Sequence, residues 1–256
     1  MEVRFIKPSV KFLKSTTNLS LEKAVKLLAQ ILNICYRNEK ERSFEDALKF
    51  VKAIAKKGHT SFLEHVSVFD KYNELPVKNH KFIDYDEVMF EGRFLNGRTL
   101  WESLREKMFS PSIFANTPLN SDGTRLLFFI TTDIGTLLQI TRHRTLSFTV
   151  ESTRYTNYLK KGMDFIEPNE LYFNQDDDII EKVKEHCINC ANLYEQLIKE
   201  GCEKQQARQV LPKQQATRLY VSGTKKWLKE FVKTRTGEGV QAPIKWIAEE
   251  ISKYLQ

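Results

Sequence analysis

The sequence lacks several features that would assign it to a common class. No apolar run reaches the roughly 18 residues that a membrane-spanning helix needs. Only four of the 256 residues are cysteine, too few for the disulfide framework of a secreted domain. The first residues, MEVRFIKPSVKF, lack the hydrophobic segment and cleavage site of a secretion signal. We therefore expect a reduced, cytoplasmic protein that does not bind a membrane.

Familiar nucleotide and metal motifs are also missing. The sequence contains neither the phosphate loop G-x-x-x-x-G-K-[ST] nor the zinc motif H-E-x-x-H. Residues 237–242 fit G-x-G-x-x-[GA], but they follow a helical pattern rather than a strand, which argues against a dinucleotide-binding turn. Cys187 and Cys190 form one C-x-x-C, yet a zinc site needs four ligands and the other cysteines are scattered. We predict core packing there and no metal site.

Composition and charge favour a single folded domain with an affinity for anions. Hydrophobic residues make up 41% and charged residues 29%, so 1–256 can form one large domain. Residues 204–235 contain nine Lys or Arg against one acid. Such a stretch suits phosphates of nucleotides, folate-type carboxylates or nucleic acid. A solvated basic face is the alternative.

Periodicity predicts a helix-rich α+β domain with a small antiparallel sheet. We expect strands at 65–70 and 125–131. Residues 71–122 are irregular, with Pro76, Pro111, Pro118 and an Asn96-Gly97 hairpin signal, and we interpret them as an insertion of strands and a short helix. The helices are predicted at 21–38, from Ser43 to a stop at Gly58, and at 132–142, 179–200, 205–211, 224–235 and 243–254.

Three arginines stand at the edges or ends of core-facing apolar stripes. Arg142 comes four residues after Leu138, Arg235 four after Phe231, and Arg208 three before Leu211. An unpaired cation held there would cost several kcal/mol. Its partner is either an internal acid or a ligand anion, and we favour the anion because arginine suits bidentate phosphate contacts. The nearby acids are Asp133, Glu151 and Glu230, and the nearby hydroxyls are Ser147, Ser152 and Thr153.

Four ordered motifs resemble those of flavin-dependent thymidylate synthases. Arg142-His143-Arg144 is followed by seven residues and Ser152, as in the family's R-H-R signature. The other three motifs are GHTSFLEH at 58–65, like H-x-[ST]-x-x-E-H; ARQVLP at 207–212, like A-R-x-x-L-P; and Phe231, Arg235 and Gln241, like the distal helix and its following glutamine. The resemblance covers roughly residues 59–70 and 126–251.

The resemblance implies an enzyme that makes dTMP from dUMP. Methylenetetrahydrofolate would supply the methylene group, and NADPH the reducing equivalents through bound FAD. Such enzymes are homotetramers with sites where subunits meet, and they need no enzyme nucleophile. Arg235 would be catalytic, favouring the N3-deprotonated uracil as a carbon nucleophile. The implied dUMP contacts are Gln139, Arg142, Glu151, Ser152, Thr153, Arg154, Arg208 and Arg235; the implied FAD contacts are Ser61, Glu64, Arg142, His143, Arg144, Thr224 and Glu230.

The sequence departs from the family pattern mainly on the flavin side. Thr149-Val150-Glu151 stands where Asn-Glu is frequent, with the acid one place later. Thr224 and Glu230 occupy positions where flavin-contacting asparagines are frequent. Gly239 and Pro243 replace a common histidine and a common glutamate. The nucleotide arginines are intact.

Two alternatives to this enzyme are considered. A divergent homologue could bind a nucleotide, or RNA through residues 204–235, without catalysis. A flavoenzyme of the same type could act on another pyrimidine. We favour the thymidylate synthase, with small-molecule substrates and no nucleic acid as its partners.

Overall fold

The computed structural model describes residues 1–17, 19–70, 75, 88–89, 92–114, 123–169, 171–173 and 177–255. The strands are β1 (Val3–Ile6), β2 (Ser9–Ser15), β3 (Ser67–Asp70), β4 (Val88–Met89), β5 (Gly92–Asn96), β6 (Arg125–Asp133), β7 (Ser147–Val150), β8 (Met163–Ile166) and β9 (Ala216–Thr224). The α-helices are α1 (Leu21–Asn33), α2 (Phe44–Lys56), α3 (Gly97–Leu104), α4 (Ile134–Ile140), α5 (Tyr158–Lys161), α6 (Asp177–Lys199), α7 (Lys204–Ala207), α8 (Lys225–Arg235) and α9 (Ala242–Ser252). Short 3-10 helices are Ile34–Tyr36, Ser61–His65, Arg105–Phe109, Pro111–Phe114 and Arg208–Val210.

A four-stranded antiparallel sheet in the order β2-β6-β9-β7 lies at the centre. Its middle strands pair over nine residues, from Arg125 opposite Thr224 to Asp133 opposite Ala216. Both strands are buried along nearly their whole length, which explains why β6 is a continuous apolar run rather than an alternating one. The predicted mixture of helices and small antiparallel sheets is confirmed. The parallel pair β1-β8 was not predicted.

Helices cover both faces of the central sheet. Because successive side chains of a strand point to opposite faces, Leu126, Phe128 and Ile130 of β6 pack with α4, α8 and α9. Leu127 packs on the other side with α1, α2 and α3. A third, smaller core joins β8 with α6. The side chains on the two faces of β6 therefore belong to two separate apolar cores, which together contain most of the buried apolar residues.

Capping residues explain where the predicted helices begin and end. Ser43 Oγ accepts a hydrogen bond from the Asp46 amide at 3.1 Å and begins α2; Gly58, with φ +86°, follows its end. Helices α6, α8 and α9 are also confirmed. Helix α4 is shorter than predicted because Asp133 caps it. The predicted helix at 21–38 is wrong beyond Asn33, since a 3-10 turn and left-handed Arg37 follow.

Two further predictions need correction near residues 61–70 and 205–211. The strand predicted at 65–70 starts at Ser67 because His65 ends a 3-10 helix. The helix predicted at 205–211 is divided into α7 and the 3-10 helix Arg208–Val210. Both changes place a motif residue in a tight turn rather than in a regular element.

The hairpin predicted at Asn96-Gly97 is wrong. Asn96 Oδ1 accepts from the Thr99 amide at 3.0 Å, so Asn96 caps α3. In the predicted insertion, the described strands β4 and β5 and helix α3 agree with the expected mixture. Pro111 begins a 3-10 helix, whereas Pro76 and Pro118 lie outside the described residues.

All four cysteines are free, and Cys187 of α6 is fully buried in the third core. Among the described residues, no helix is long and apolar enough to cross a membrane. In the same part of the chain, no group of three or more His, Cys, Asp or Glu is arranged to hold a metal ion.

Candidate active site

The Arg142-His143-Arg144 motif forms a tight turn between α4 and β7. The His143 amide donates to Ile140 O at 3.0 Å, and the Leu146 amide donates to His143 O at 3.2 Å. This turn leaves Arg142 and Arg144 exposed and directs His143 towards the protein, where it is half-buried. The two guanidinium groups are therefore available to a ligand.

His143 lies in a pocket made by α8. Its ring packs edge-on against Phe231, with centroids 5.4 Å apart. Burial and the nearby Arg235 cation lower the pKa of His143, so the neutral ring is favoured. Its Nε2 atom is buried and has no hydrogen-bond partner in the described structure. A buried nitrogen without a partner marks a position where a ligand atom would be stabilising.

Arg235 ends α8 beside His143 and contacts the end of α4. One terminal nitrogen donates to Gln139 O at 3.0 Å, and Nε is buried without a partner in the described structure. The Gln139 side chain donates in turn to Gln241 Oε1 at 2.5 Å. We call Gln139, Arg142, His143, Arg144 and Arg235 the α4–α8 group.

A second group follows β7. The Ser152 amide donates to Cys35 O at 3.3 Å, and Ser152 Oγ accepts from the Arg154 amide at 3.3 Å. Arg208 donates to Thr153 Oγ1 at 2.9 Å, so the R-H-R motif and the A-R-x-x-L-P motif contribute to a common surface. We call Ser152, Thr153, Arg154 and Arg208 the β7-loop group.

The arginines of these two groups differ from other arginines of the chain in their partners. In the described part of the chain, no ion pair includes the five arginines Arg142, Arg144, Arg154, Arg208 and Arg235. Arg208 and Arg235 are half-buried and bond only to neutral oxygens. Three other arginines converge on one buried acid, Asp164: these are Arg4, Arg37 and Arg218. The chain therefore neutralises one set of arginines and leaves another free for an anion.

Two of the three acids that could have neutralised the predicted site, Glu151 and Asp133, are occupied elsewhere. Glu151 is buried and accepts hydrogen bonds from Arg218 at 3.1 Å and from the Tyr158 hydroxyl at 3.2 Å. Asp133 caps α4 and accepts from the Tyr172 hydroxyl at 2.8 Å. Glu230 is exposed on α8. Ion pairs with these three acids therefore do not neutralise Arg142, Arg208 or Arg235. The Glu151 side chain is buried behind the β7 loop, on the side that faces the protein interior rather than solvent.

The predicted flavin segment is the 3-10 helix Ser61–His65. With three residues per turn, Ser61 and Glu64 lie on the same face, and Phe62, Leu63 and His65 are buried. The Glu64 carboxylate accepts a hydrogen bond from Arg98 at 2.8 Å. This face is consequently the polar, accessible side of the segment.

His65 holds that segment against the central sheet. Its Nδ1 is 2.9 Å from Ser222 Oγ on β9, and its Nε2 is 3.0 Å from Thr149 Oγ1 on β7. Burial, together with the neighbouring Arg125 cation, lowers the pKa of His65 to about 3. The neutral ring thus links the motif that contains Ser61 and Glu64 to the strand that follows the R-H-R turn.

The structure does not bring all the predicted residues together. Within the described residues, no hydrogen bond or ion pair joins the α4–α8 group to the β7-loop group. Thr224 Oγ1 accepts from the Trp227 amide at 3.4 Å and caps α8. Sequence patterns did not identify four residues that support the site: Thr149, Ser222, Arg98 and Arg218. The histidine in H-x-[ST]-x-x-E-H was the one sequence signal for that support.

Comparison with known proteins identifies the family. The family model described as thymidylate synthase complementing protein matches residues 124–256, which is more than half of the chain. The chain belongs to this family. The matched region contains the R-H-R turn, the β7 loop, Arg208 and Arg235, but not the segment around Ser61 and Glu64.

Individual relatives match over shorter stretches. The flavin-dependent thymidylate synthase of Pyrococcus abyssi (strain GE5 / Orsay) is 30% identical over 121 residues, covering 45% of this chain and 49% of the relative. The enzyme of the same name from Aquifex aeolicus (strain VF5) is 29% identical over 128 residues, covering 44% and 40%. The chain thus spans about half the length, or less, of these curated relatives.

A solved structure extends the likeness to the whole chain. The UMP/dUMP methylase PolB from Streptomyces cacaoi, in a crystal structure bound with 5-Br dUMP, matches with a TM-score of 0.51 and 16% identity. The match covers 99% of this chain and 91% of that one. At this identity the comparison shows a shared fold.

Proposed function

We propose that the chain is a flavin-dependent thymidylate synthase that methylates dUMP to dTMP. Membership of the family, relatives of that name and a methylase neighbour holding a dUMP analogue support this assignment. The observation that carries it is the group of arginines without carboxylates, above all half-buried Arg208 and Arg235. Such a group fits a dianionic nucleotide better than a structural role.

The β7-loop group is proposed to hold the phosphate of dUMP. Arg154 and Arg208 would supply positive charge, and Ser152 and Thr153 would supply hydroxyl donors. The hydrogen bond from Arg208 to Thr153, which makes two members of the group neighbours, supports this proposal. Motif position assigned Glu151 to dUMP. We propose instead that Glu151 supports the β7 loop from its buried side.

The α4–α8 group is proposed to bind the uracil ring and the flavin. Gln139 and Arg142 would contact the nucleotide, and Arg235 would stabilise negative charge on the N3-deprotonated ring. The orphaned Nε atom of Arg235 fits that task. Because no hydrogen bond or ion pair among the described residues joins this group to the β7-loop group, we propose a homotetramer in which sites form where copies meet.

The flavin is proposed to lie along Ser61, Glu64, Arg142, His143 and Arg144. The common face of Ser61 and Glu64 and the orphaned His143 Nε2 fit such a group. FAD, when bound, would carry reducing equivalents from NADPH to the methylene group that comes from methylenetetrahydrofolate. Thr224 and Glu230 are assigned to the flavin by motif position alone, and the Thr224 hydroxyl is already used as a helix cap.

The basic stretch at 204–235 does not favour the alternative of RNA binding. It is divided among α7, a 3-10 helix, β9 and α8. Arg218 within it pairs with Glu151 and Asp164. An extended phosphate backbone would instead require a continuous charged surface.

Release of tritium from 5-tritiated dUMP tests the proposed function. Native protein supplied with FAD, NADPH and methylenetetrahydrofolate should release tritium and form dTMP. Arg235→Ala should lower kcat by about 100-fold, the usual effect of losing one pre-placed charge donor. Lys233→Ala, an exposed residue of the same helix, is the matched control.

Different outcomes separate the alternatives. Native protein that binds FAD and dUMP without turnover would support a non-catalytic homologue. Turnover of UMP in preference to dUMP would indicate another pyrimidine substrate. Normal turnover by Arg235→Ala, with native folding by circular dichroism, would remove the role assigned to Arg235.

A further inference from the structure

Helix α3, within the predicted insertion, packs directly on the proposed flavin segment. The Gly97 amide donates to Val66 O at 2.9 Å. A Cβ atom at Gly97 would lie only 2.4 Å from Leu63 O, so glycine permits this close approach. Leu100 and Trp101 are buried in the same core as Leu63. The start of α3 is therefore fixed against the 3-10 helix Ser61–His65.

This packing brings Arg98 to Glu64. Arg98 donates to Glu64 Oε1 at 2.8 Å, and the two side chains are 25% and 15% exposed. Glu64 is a proposed flavin contact, whereas Arg98 belongs to none of the four motifs. Arg98 makes additional interactions, so its position does not depend on Glu64 alone.

We propose that Arg98 is a cofactor-positioning residue that sets the affinity for FAD through Glu64. This inference rests on the proposed function, since it requires the flavin to bind beside Ser61 and Glu64. An uncompensated carboxylate at that place would repel the negatively charged diphosphate of FAD. Arg98 neutralises the carboxylate and fixes one of its oxygens, leaving the other free to accept a hydrogen bond.

The partial burial of the Glu64–Arg98 ion pair strengthens the electrostatic interaction between the two side chains. Ion pairs between fully exposed side chains contribute little because water screens them. Glu64 and Arg98 are both mostly buried, so their interaction is less screened. The Ser61 side chain shares the accessible face with Glu64, which places a neutral donor beside the oriented carboxylate.

Equilibrium titration of FAD fluorescence tests the proposal. Arg98→Met should raise the Kd for FAD about tenfold, as expected for loss of roughly one charge-assisted hydrogen bond. Arg105→Met is the matched control, because Arg105 follows the same helix and is exposed, pairing with partly exposed Glu102; its Kd should equal that of the native chain. Arg98→Lys keeps the charge with fewer donors and should weaken binding by about threefold.

A double-mutant cycle separates positioning from simple stabilisation. In a Glu64→Gln background, Arg98→Met should change the FAD affinity by less than twofold, because no carboxylate remains to be neutralised. Unfolding by urea, measured on the same four proteins, reports any structural role. A role in stability alone would show coupling in the urea midpoints and none in the Kd values.

The outcomes are distinguishable from failure of the proposed function. A native chain that takes up no FAD would contradict the proposed function before any variant is compared. If native chain binds FAD and Arg98→Met binds it equally or more tightly, the inference about Arg98 is overturned. Should Arg98→Met not fold, Arg98→Lys decides, and an unchanged or tighter Kd would overturn the inference.

Discussion

The buried ion pairs behind the β7 loop lead to a quantitative prediction about Arg218. This side chain lies on β9 and bridges two acids, Glu151 and Asp164. Arg4 and Arg37 also pair with Asp164, whereas the one other partner of the Glu151 carboxylate among the described residues is the Tyr158 hydroxyl. The substitution Arg218→Met would preserve much of the side-chain volume and remove the bridging charge.

The burial of each partner determines the expected cost. The Glu151 side chain is 1% exposed and that of Arg218 is 19% exposed. Removing one partner of a buried pair costs about 3–5 kcal/mol because the other charge stays desolvated. Since Asp164 keeps two arginines, we expect the lower end, about 3 kcal/mol. For a chain of this size that corresponds to a Tm decrease of about 6–12 °C.

Urea unfolding followed by circular dichroism measures this effect. Adding Glu151→Gln to Arg218→Met removes the stranded charge and should recover more than half of the lost stability. Arg105→Met removes an exposed pair and should cost less than about 0.5 kcal/mol. A midpoint of Arg218→Met that equals the native midpoint would refute the assignment of Arg218 as the main partner of Glu151.

Two further perturbations test the supports of the flavin segment. The pKa of His65 is lowered to about 3, while an unfolded histidine titrates near 6.5. The unfolded chain therefore binds the extra proton between these values, so the contribution of His65 to native stability should be constant above pH 6.5 and decrease below it by about 1.4 kcal/mol per pH unit. His65→Gln should flatten this slope in urea titrations and exposed His186→Gln should not; an unchanged slope in His65→Gln would contradict the assignment. Gly97→Ala should cost about 1–3 kcal/mol by overpacking against Leu63 O, whereas Gly237→Ala, with open space around it, should be neutral; equal urea midpoints for the two would show that α3 adjusts freely.

Local patterns were enough to predict the long amphipathic helices. Helices α2, α6, α8 and α9 each combine an apolar stripe with a cap, an acidic first turn or an early proline in the sequence. The pairing of strands depends on distant residues instead. The parallel pair β1-β8 joins residues 3–6 to residues 163–166, and nothing in either short segment specifies its partner. Asn96-Gly97 shows the same limit, because an Asn-Gly pair suits a hairpin or a helix cap equally well.

The arginines of the candidate site could be predicted from the sequence, but the residues that hold them in place could not. Arg208 and Arg235 are identifiable because each stands in a recognisable motif beside an apolar stripe. Arg142 is identifiable from its motif alone: the core-facing stripe predicted before it is wrong, because Leu138 is 55% exposed and the helix ends at Ile140. The partners that hold the site in place come from other elements: Arg218 reaches Glu151 from 67 residues away, and Arg98 reaches Glu64 from 34 residues away. Such contacts are specified by the packing of the sheet and helices, which no local spacing encodes.

The displaced acid at Glu151 has a physical explanation in strand β7. Side chains of a strand alternate between its two faces, and Ser147 and Thr149 are buried while Phe148 and Val150 are only partly so. Glu151 continues the buried face, because moving an acid by one residue moves it to the opposite side of a strand. Thr149 on that face binds His65, and Glu151 binds Arg218. The departures from the family pattern at Thr149 and Glu151 therefore both lie on the buried face of β7, where each side chain binds a different internal partner and faces away from the arginines of the β7-loop group.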